Sequence, residues 1–62
     1  MNRKTYYLEI KTQGESWFTK SSIYSLAEAK RYFDAEDVNE LAEGSTIVVG
    51  DNLGNIYYEK SN

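Results

Sequence analysis

The stretch Tyr6-Tyr7-Leu8-Glu9-Ile10-Lys11 alternates, with Tyr6, Leu8 and Ile10 on one face and Tyr7, Glu9 and Lys11 on the other. A period of two residues marks a half-buried β-strand. Gln13-Gly14-Glu15-Ser16 is a turn signal, and Trp17-Phe18-Thr19-Lys20 opens a second run rich in β-formers. The two runs predict an N-terminal hairpin.

The period then changes. Ser25-Leu26-Ala27-Glu28 fits a capping box, in which the serine hydroxyl accepts from the backbone N–H three residues on and the glutamate reaches back to the serine amide. Leu26, Ala29 and Phe33 follow at helical spacing, with Lys30 and Arg31 turned away, which predicts a helix over about residues 26 to 34. At roughly 100° per residue, Val38, Leu41 and Ala42 fall off the Leu26/Phe33 stripe. Asp34-Ala35-Glu36-Asp37 is therefore a break or a kink. Asp37 suits the cap of a second short helix ending at Gly44, with a single bent helix as the alternative.

Thr46-Ile47-Val48-Val49 is a continuous β-branched run of the kind found in central, well-buried strands. Asp51-Asn52-Leu53-Gly54 suits a type I turn with glycine in the left-handed position, and Ile56-Tyr57-Tyr58-Glu59 continues as a strand. The order is ββαββ. The expected fold is α+β: a four-stranded antiparallel sheet made of two hairpins, with one helix on one face and Leu8, Ile10, Leu26, Ala29, Phe33, Ile47 and Val49 in one core. By alternation, Tyr7 and one residue of each pair Trp17/Phe18 and Tyr57/Tyr58 face outward, with Lys11 and Lys20 among them.

Sixty-two residues make a single domain, 1–62, of modest stability. There is no cysteine to form a disulfide or act as a thiolate, and no histidine, the commonest general base and zinc ligand. No apolar run approaches the roughly 20 residues of a bilayer span. The basic start, Met1-Asn2-Arg3-Lys4-Thr5, leads into a strand rather than an apolar segment, so the expectation is a cytoplasmic protein without a signal peptide. The acids Asp34, Glu36 and Asp37 lack the apolar surroundings that tune a catalytic carboxyl and the internal glycine of a calcium loop. Gly50-Asp51-Asn52-Leu53-Gly54 lacks the lysine and following helix of a phosphate loop. The sequence therefore predicts no catalysis, no cofactor and no metal.

Two candidate binding surfaces remain. Residues 26–43 hold six acids (Glu28, Asp34, Glu36, Asp37, Glu40, Glu43) against Lys30 and Arg31, whereas the rest of the chain is slightly basic within a net charge of −3. Such a face favours basic partners. The second surface is the aromatic face of the sheet, since nine of the 62 residues are aromatic and six of those are tyrosine. Rings of this kind serve protein interfaces, stack single-stranded bases, or pair across strands to stiffen a small sheet. A pI near 4.7 weighs against phosphate binding.

The run Ser25-Leu26-Ala27-Glu28-Ala29-Lys30-Arg31, then Ile47-Val48-Val49 and Asp51-Asn52-Leu53-Gly54-Asn55-Ile56-Tyr57, resembles small phage-encoded ββαββ proteins, some anti-CRISPR inhibitors of the type I-F surveillance complex among them. The resemblance covers about two thirds of the chain as a pattern: a capped helix, a strand and a D-x-x-G hairpin. It implies a non-enzymatic inhibitor, acting in the host bacterium's cytoplasm, that occupies a basic, nucleic-acid-binding surface of a host protein complex. Glu36, Asp37, Glu40 and Glu43 would then supply the charge, and Tyr7 and Tyr57 the exposed anchors. The alternatives are a single-stranded nucleic-acid-binding module using the open sheet and a structural domain that forms a homodimer through it.

Overall fold

The computed structural model describes residues 4–62. Strands β1 (Tyr6–Thr12) and β2 (Glu15–Ile23) are followed by helix α1 (Leu26–Ala35), a 3₁₀ turn η1 (Val38–Glu40), and strands β3 (Thr46–Asp51) and β4 (Ile56–Ser61). The four strands form one open antiparallel sheet in the order β2-β1-β3-β4, so the two hairpins meet along β1 and β3. The α+β, ββαββ expectation holds, with the helix on one face.

Leu8, Ile10, Ile23, Ala29, Phe33, Val38, Ile47 and Val49 form the core between helix and sheet. Leu26 sits at its margin, half buried, while Ile23 and Val38 join it from the two ends of the helical segment. β3 is buried from Ile47 to Asp51, as a central strand should be; β2 is exposed everywhere except Ile23. The helix lies chiefly over β1 and β3, leaving the β2 edge uncovered on both sides.

The ends of the helical segment depart from expectation, and each departure has a local cause. Ser25 caps α1 by accepting from the Glu28 N–H at 3.3 Å. The Glu28 carboxylate is turned instead to the Tyr32 hydroxyl one turn on, at 2.9 Å, so only half of the capping box forms. The chain breaks after Ala35, where Glu36 is extended, and the bent-helix alternative is set aside. Asp37 does act as a cap, accepting from the Asn39 N–H at 2.9 Å, but the element it caps is a single 3₁₀ turn ending at Glu40, not a helix to Gly44. The carbonyls of this stretch are claimed by tertiary partners that no local pattern reveals. Asn62 Nδ2 donates to the carbonyls of Val38, Leu41 and Ala42 at 2.9–3.0 Å, and its Oδ1 accepts from the N–H groups of Gly44 and Ser45.

Candidate functional site: an acidic segment and an uncovered sheet face

The acidic segment is built on the break between α1 and η1. Lys60 reaches across from β4 and donates to the carbonyls of Phe33 at 2.8 Å and Glu36 at 2.6 Å, with its ammonium 4.4 Å from the Phe33 ring centroid. A cation bonded to the last carbonyls of a helix satisfies groups that have no intrahelical partner and complements the helix dipole. Lys60 and Asn62 therefore hold residues 36–45 at both ends. On this frame Glu36 is half buried, and Asp37, Glu40 and Glu43 are exposed. Asp34 pairs with Lys30 at 2.7 Å, and this i,i+4 bridge between exposed groups raises the Lys30 pKa through its hydrogen bond with Asp34. Among the described residues, Glu36, Asp37, Glu40 and Glu43 have no ion pair, and no three acids converge as metal ligands.

The sheet face opposite the helix is organised by register. Antiparallel partners share a face, so the pairs Phe18–Glu9, Glu9–Val48 and Val48–Glu59 lay one row across all four strands: Phe18, Glu9, Val48, Glu59. The neighbouring row is Tyr7, Gly50, Ile56, and the row on the other side is Ser16, Lys11, Thr46, Ser61. Tyr7 is outward-facing, as expected, but half buried and not the exposed anchor predicted, because its ring lies against Gly50: a Cβ there would collide with the Tyr7 hydroxyl and Cζ. Glycine is required at that position for the close approach of the ring, not for its own dihedral freedom. The edge of Phe18 packs on Tyr7, centroids 5.1 Å apart at 82°. Burial against the sheet, with the charges of Glu9 and Asp51, raises the Tyr7 pKa. Val48 is 1% exposed although no helix covers it, whereas Phe18 is 60% and Ile56 52% exposed.

Alternation fails where the strands bulge, and this moves two residues expected on the outward face, Tyr57 and Lys20. In β4 the register slips between Val49–Tyr58 and Gly50–Ile56, so Ile56 takes the outward position and Tyr57 becomes the extra residue. Tyr57 is thereby corrected from exposed anchor to half-buried support: its ring meets Tyr6 edge-on at 5.5 Å, and its hydroxyl donates to Asp51 Oδ2 at 2.6 Å. Tyr58 pairs with Val49 and packs on Phe33, centroids 5.7 Å apart, so neither tyrosine faces outward. In β2 a bulge between Phe18 and Lys20 sets Lys20 opposite Leu8, on the helix side, with its ammonium 4.6 Å from the Tyr32 ring. Lys20 does not stand among the outward rings. Trp17, paired with Ile10, also belongs to the helix side and is 43% exposed at the rim that the helix does not reach.

Among the described residues Asp51 is the one buried carboxylate, 2% exposed. Burial alone would favour its neutral form, but donors converge on it from the Tyr57 hydroxyl, the Asn55 side chain and the backbone N–H groups of Asn55 and Leu53. They hold its pKa well below the usual carboxylate range. Lys4 Nζ lies 3.6 Å away. This network shapes the β3–β4 turn, in which Gly54 is left-handed as the sequence predicts.

Sequence reasoning placed Tyr7, Glu9 and Lys11 together on the outward face and located the acidic segment. It left the β2 ring as either Trp17 or Phe18, which register resolves to Phe18, and it missed Ile56 and Glu59, because bulges and cross-strand register leave no mark in a single sequence. No helix among the described residues is long and apolar enough to cross a membrane. Comparison with protein-family models, curated proteins and solved structures finds no match.

Proposed function

We propose that this protein is a non-enzymatic binder that docks its acidic 36–43 segment on a basic surface of another protein. The observation that carries this reading is the clamping of the segment: Lys60 and Asn62 take the backbone carbonyls of Glu36, Val38, Leu41 and Ala42, while Glu36, Glu40 and Glu43 are left without an internal ion pair among the described residues. A charged segment held in one shape binds without a large ordering cost. In the narrower form that the phage-protein resemblance suggests, the target is the nucleic-acid-binding groove of a host complex, and the carboxylates stand in for phosphates. The placement of charge weighs against direct nucleic-acid binding, since Glu9 and Glu59 flank the centre of the open face and Lys20 is withdrawn from it.

The test is affinity capture from bacterial lysate, with and without nuclease, using the native protein and a Glu36→Lys/Asp37→Lys/Glu40→Lys variant. A partner that survives nuclease, is displaced by oligonucleotide and associates more slowly with the variant supports the reading. Rim charges act mainly on the association rate, so the salt dependence should fall with it. Direct titration with single-stranded oligonucleotides at low salt should give nothing tighter than about 10⁻⁴ M. Micromolar, salt-sensitive binding would reverse the assignment in favour of a nucleic-acid module.

A further inference from the structure

The lysines of this protein, Lys11 excepted, are gathered on the helix side of its sheet. On the helix side, lysines lie over aromatic rings: Lys4 over Tyr57 at 5.3 Å, Lys20 over Tyr32 at 4.6 Å, Lys30 over Tyr58 at 5.5 Å and Lys60 over Phe33 at 4.4 Å. Those cations are thereby kept from the other side. On the uncovered side Glu9 and Glu59 flank Val48 in register, and neither has an ion pair among the described residues. Lys11 stands one row away, exposed, and makes no salt bridge to either. Beside the two carboxylates lie the perpendicular Tyr7–Phe18 pair and the exposed Ile56.

We propose that this uncovered face docks an arginine-bearing segment of a protein partner, whose guanidinium groups stack on the Tyr7–Phe18 rings and pair with Glu9 and Glu59. Guanidinium is the cation that combines a flat, weakly hydrated face for stacking with a fork that matches a carboxylate. A lysine ammonium is a strongly hydrated point charge and gains less from a half-exposed ring. Rings next to carboxylates suit the first cation better than the second, and the rings here are already fixed: Tyr7 by the absence of a side chain at Gly50, Phe18 by Tyr7. A second copy of this chain fits less well, because a two-fold contact between these faces would bring the same carboxylates together. The proposal rests on the reading of the protein as a binder of basic partners, and adds a second contact surface with a preference among cations.

The experiment uses the full chain, ¹⁵N-labelled, titrated with nona-arginine and with nona-lysine peptides of equal charge while amide shifts are followed. Arginine is expected to bind about twofold to fivefold more tightly than lysine, the scale of an exposed cation–π contact. Its shifts should centre on Tyr7, Glu9, Phe18, Val48 and Glu59. Glu9→Gln/Glu59→Gln should weaken nona-arginine by about fivefold, as expected for two exposed ion pairs. Phe18→Leu, which keeps apolar bulk at an edge position, should erase the preference for arginine. Equal affinity for the two peptides, undiminished binding by the glutamine variant, or an absence of binding each overturns the proposal. Shifts confined to residues 36–43 also overturn it while leaving the acidic-segment reading standing. Shifts confined to the open face, unaffected by reversal of Glu36, Asp37 and Glu40, support it and overturn that reading instead.

Discussion

The two faces of the sheet use the same kinds of residue differently. On the covered face, Tyr6 meets Tyr57, Tyr58 meets Phe33, Tyr32 is bonded to Glu28, and lysines cap the rings. On the uncovered face, a single ring pair leans on a glycine while Phe18 and Ile56 are more than half exposed, at 60% and 52%. Tyrosine content alone therefore does not indicate a binding face. Most of the tyrosines here build a wall around a small core, and the ring pair on the far side, Tyr7 and Phe18, stands there by the plain alternation of its strands.

If that contrast is right, removing a ring from the covered face should be the most damaging change. Phe33 is 8% exposed and is touched by Tyr58 and Lys60, so Phe33→Ala should cost about 3–5 kcal/mol. That approaches the whole stability of a small domain, and chemical denaturation should show a largely unfolded variant at room temperature. An unchanged midpoint would mean that the helix packs by some other stripe.

A smaller loss is expected at Asp51, the charge on which the β3–β4 turn is built. Its folded pKa lies below its ordinary value of 3.8, so the stability it contributes is complete above that pH and is lost as pH falls through the depressed folded value. Urea midpoints between pH 7 and pH 2 should drop on the acid side. Asp51→Asn should be less stable at pH 7 and should show a flatter acid limb, because the group that titrates is gone. A variant with the same acid limb as the native protein would remove Asp51 from this role.

The uncovered face offers a finer test. Gly50→Ala drives a methyl into the Tyr7 ring and should cost about 1–3 kcal/mol, the usual range for overpacking. Combining it with Tyr7→Ala should recover part of the loss, since the two residues collide with each other; the Asn55 carbonyl, 3.0 Å from the added Cβ, would keep the recovery incomplete. Strict additivity would show that the ring does not rest on Gly50.

The smallest effect belongs to the acidic segment. Reversing Glu36 and Glu40 to lysine should change stability by no more than about 0.5 kcal/mol each, since neither side chain is packed into the core or paired. Asp37 bonds the Asn39 amide, so Asp37→Asn is the control that removes charge while keeping the cap. Thermal melts that separate Asp37→Lys from Asp37→Asn would measure the cap alone.

Much of this architecture is legible in the sequence because it depends on local periodicity. The two-residue alternation of β1, the 3.6-residue stripe of α1, the serine cap and the aspartate–glycine turn each declare themselves within a few positions, and four elements of strand pattern around one helix leave a single economical arrangement. The acidic segment is also visible, as charge along the chain. The places where alternation breaks are set by contacts between elements and not by the strands themselves. A bulge adds one residue to a strand and exchanges its faces, and whether it forms depends on what the neighbouring strand and helix offer the displaced side chain. Tyr57 turns inward because Asp51 and Tyr6 are there to receive it, and Lys20 crosses to the helix side, where Tyr32 lies. The length of the second helical turn has the same origin. Lys60 and Asn62 satisfy its carbonyls and those around it from 20 to 27 positions away, and no local pattern can announce a partner that distant.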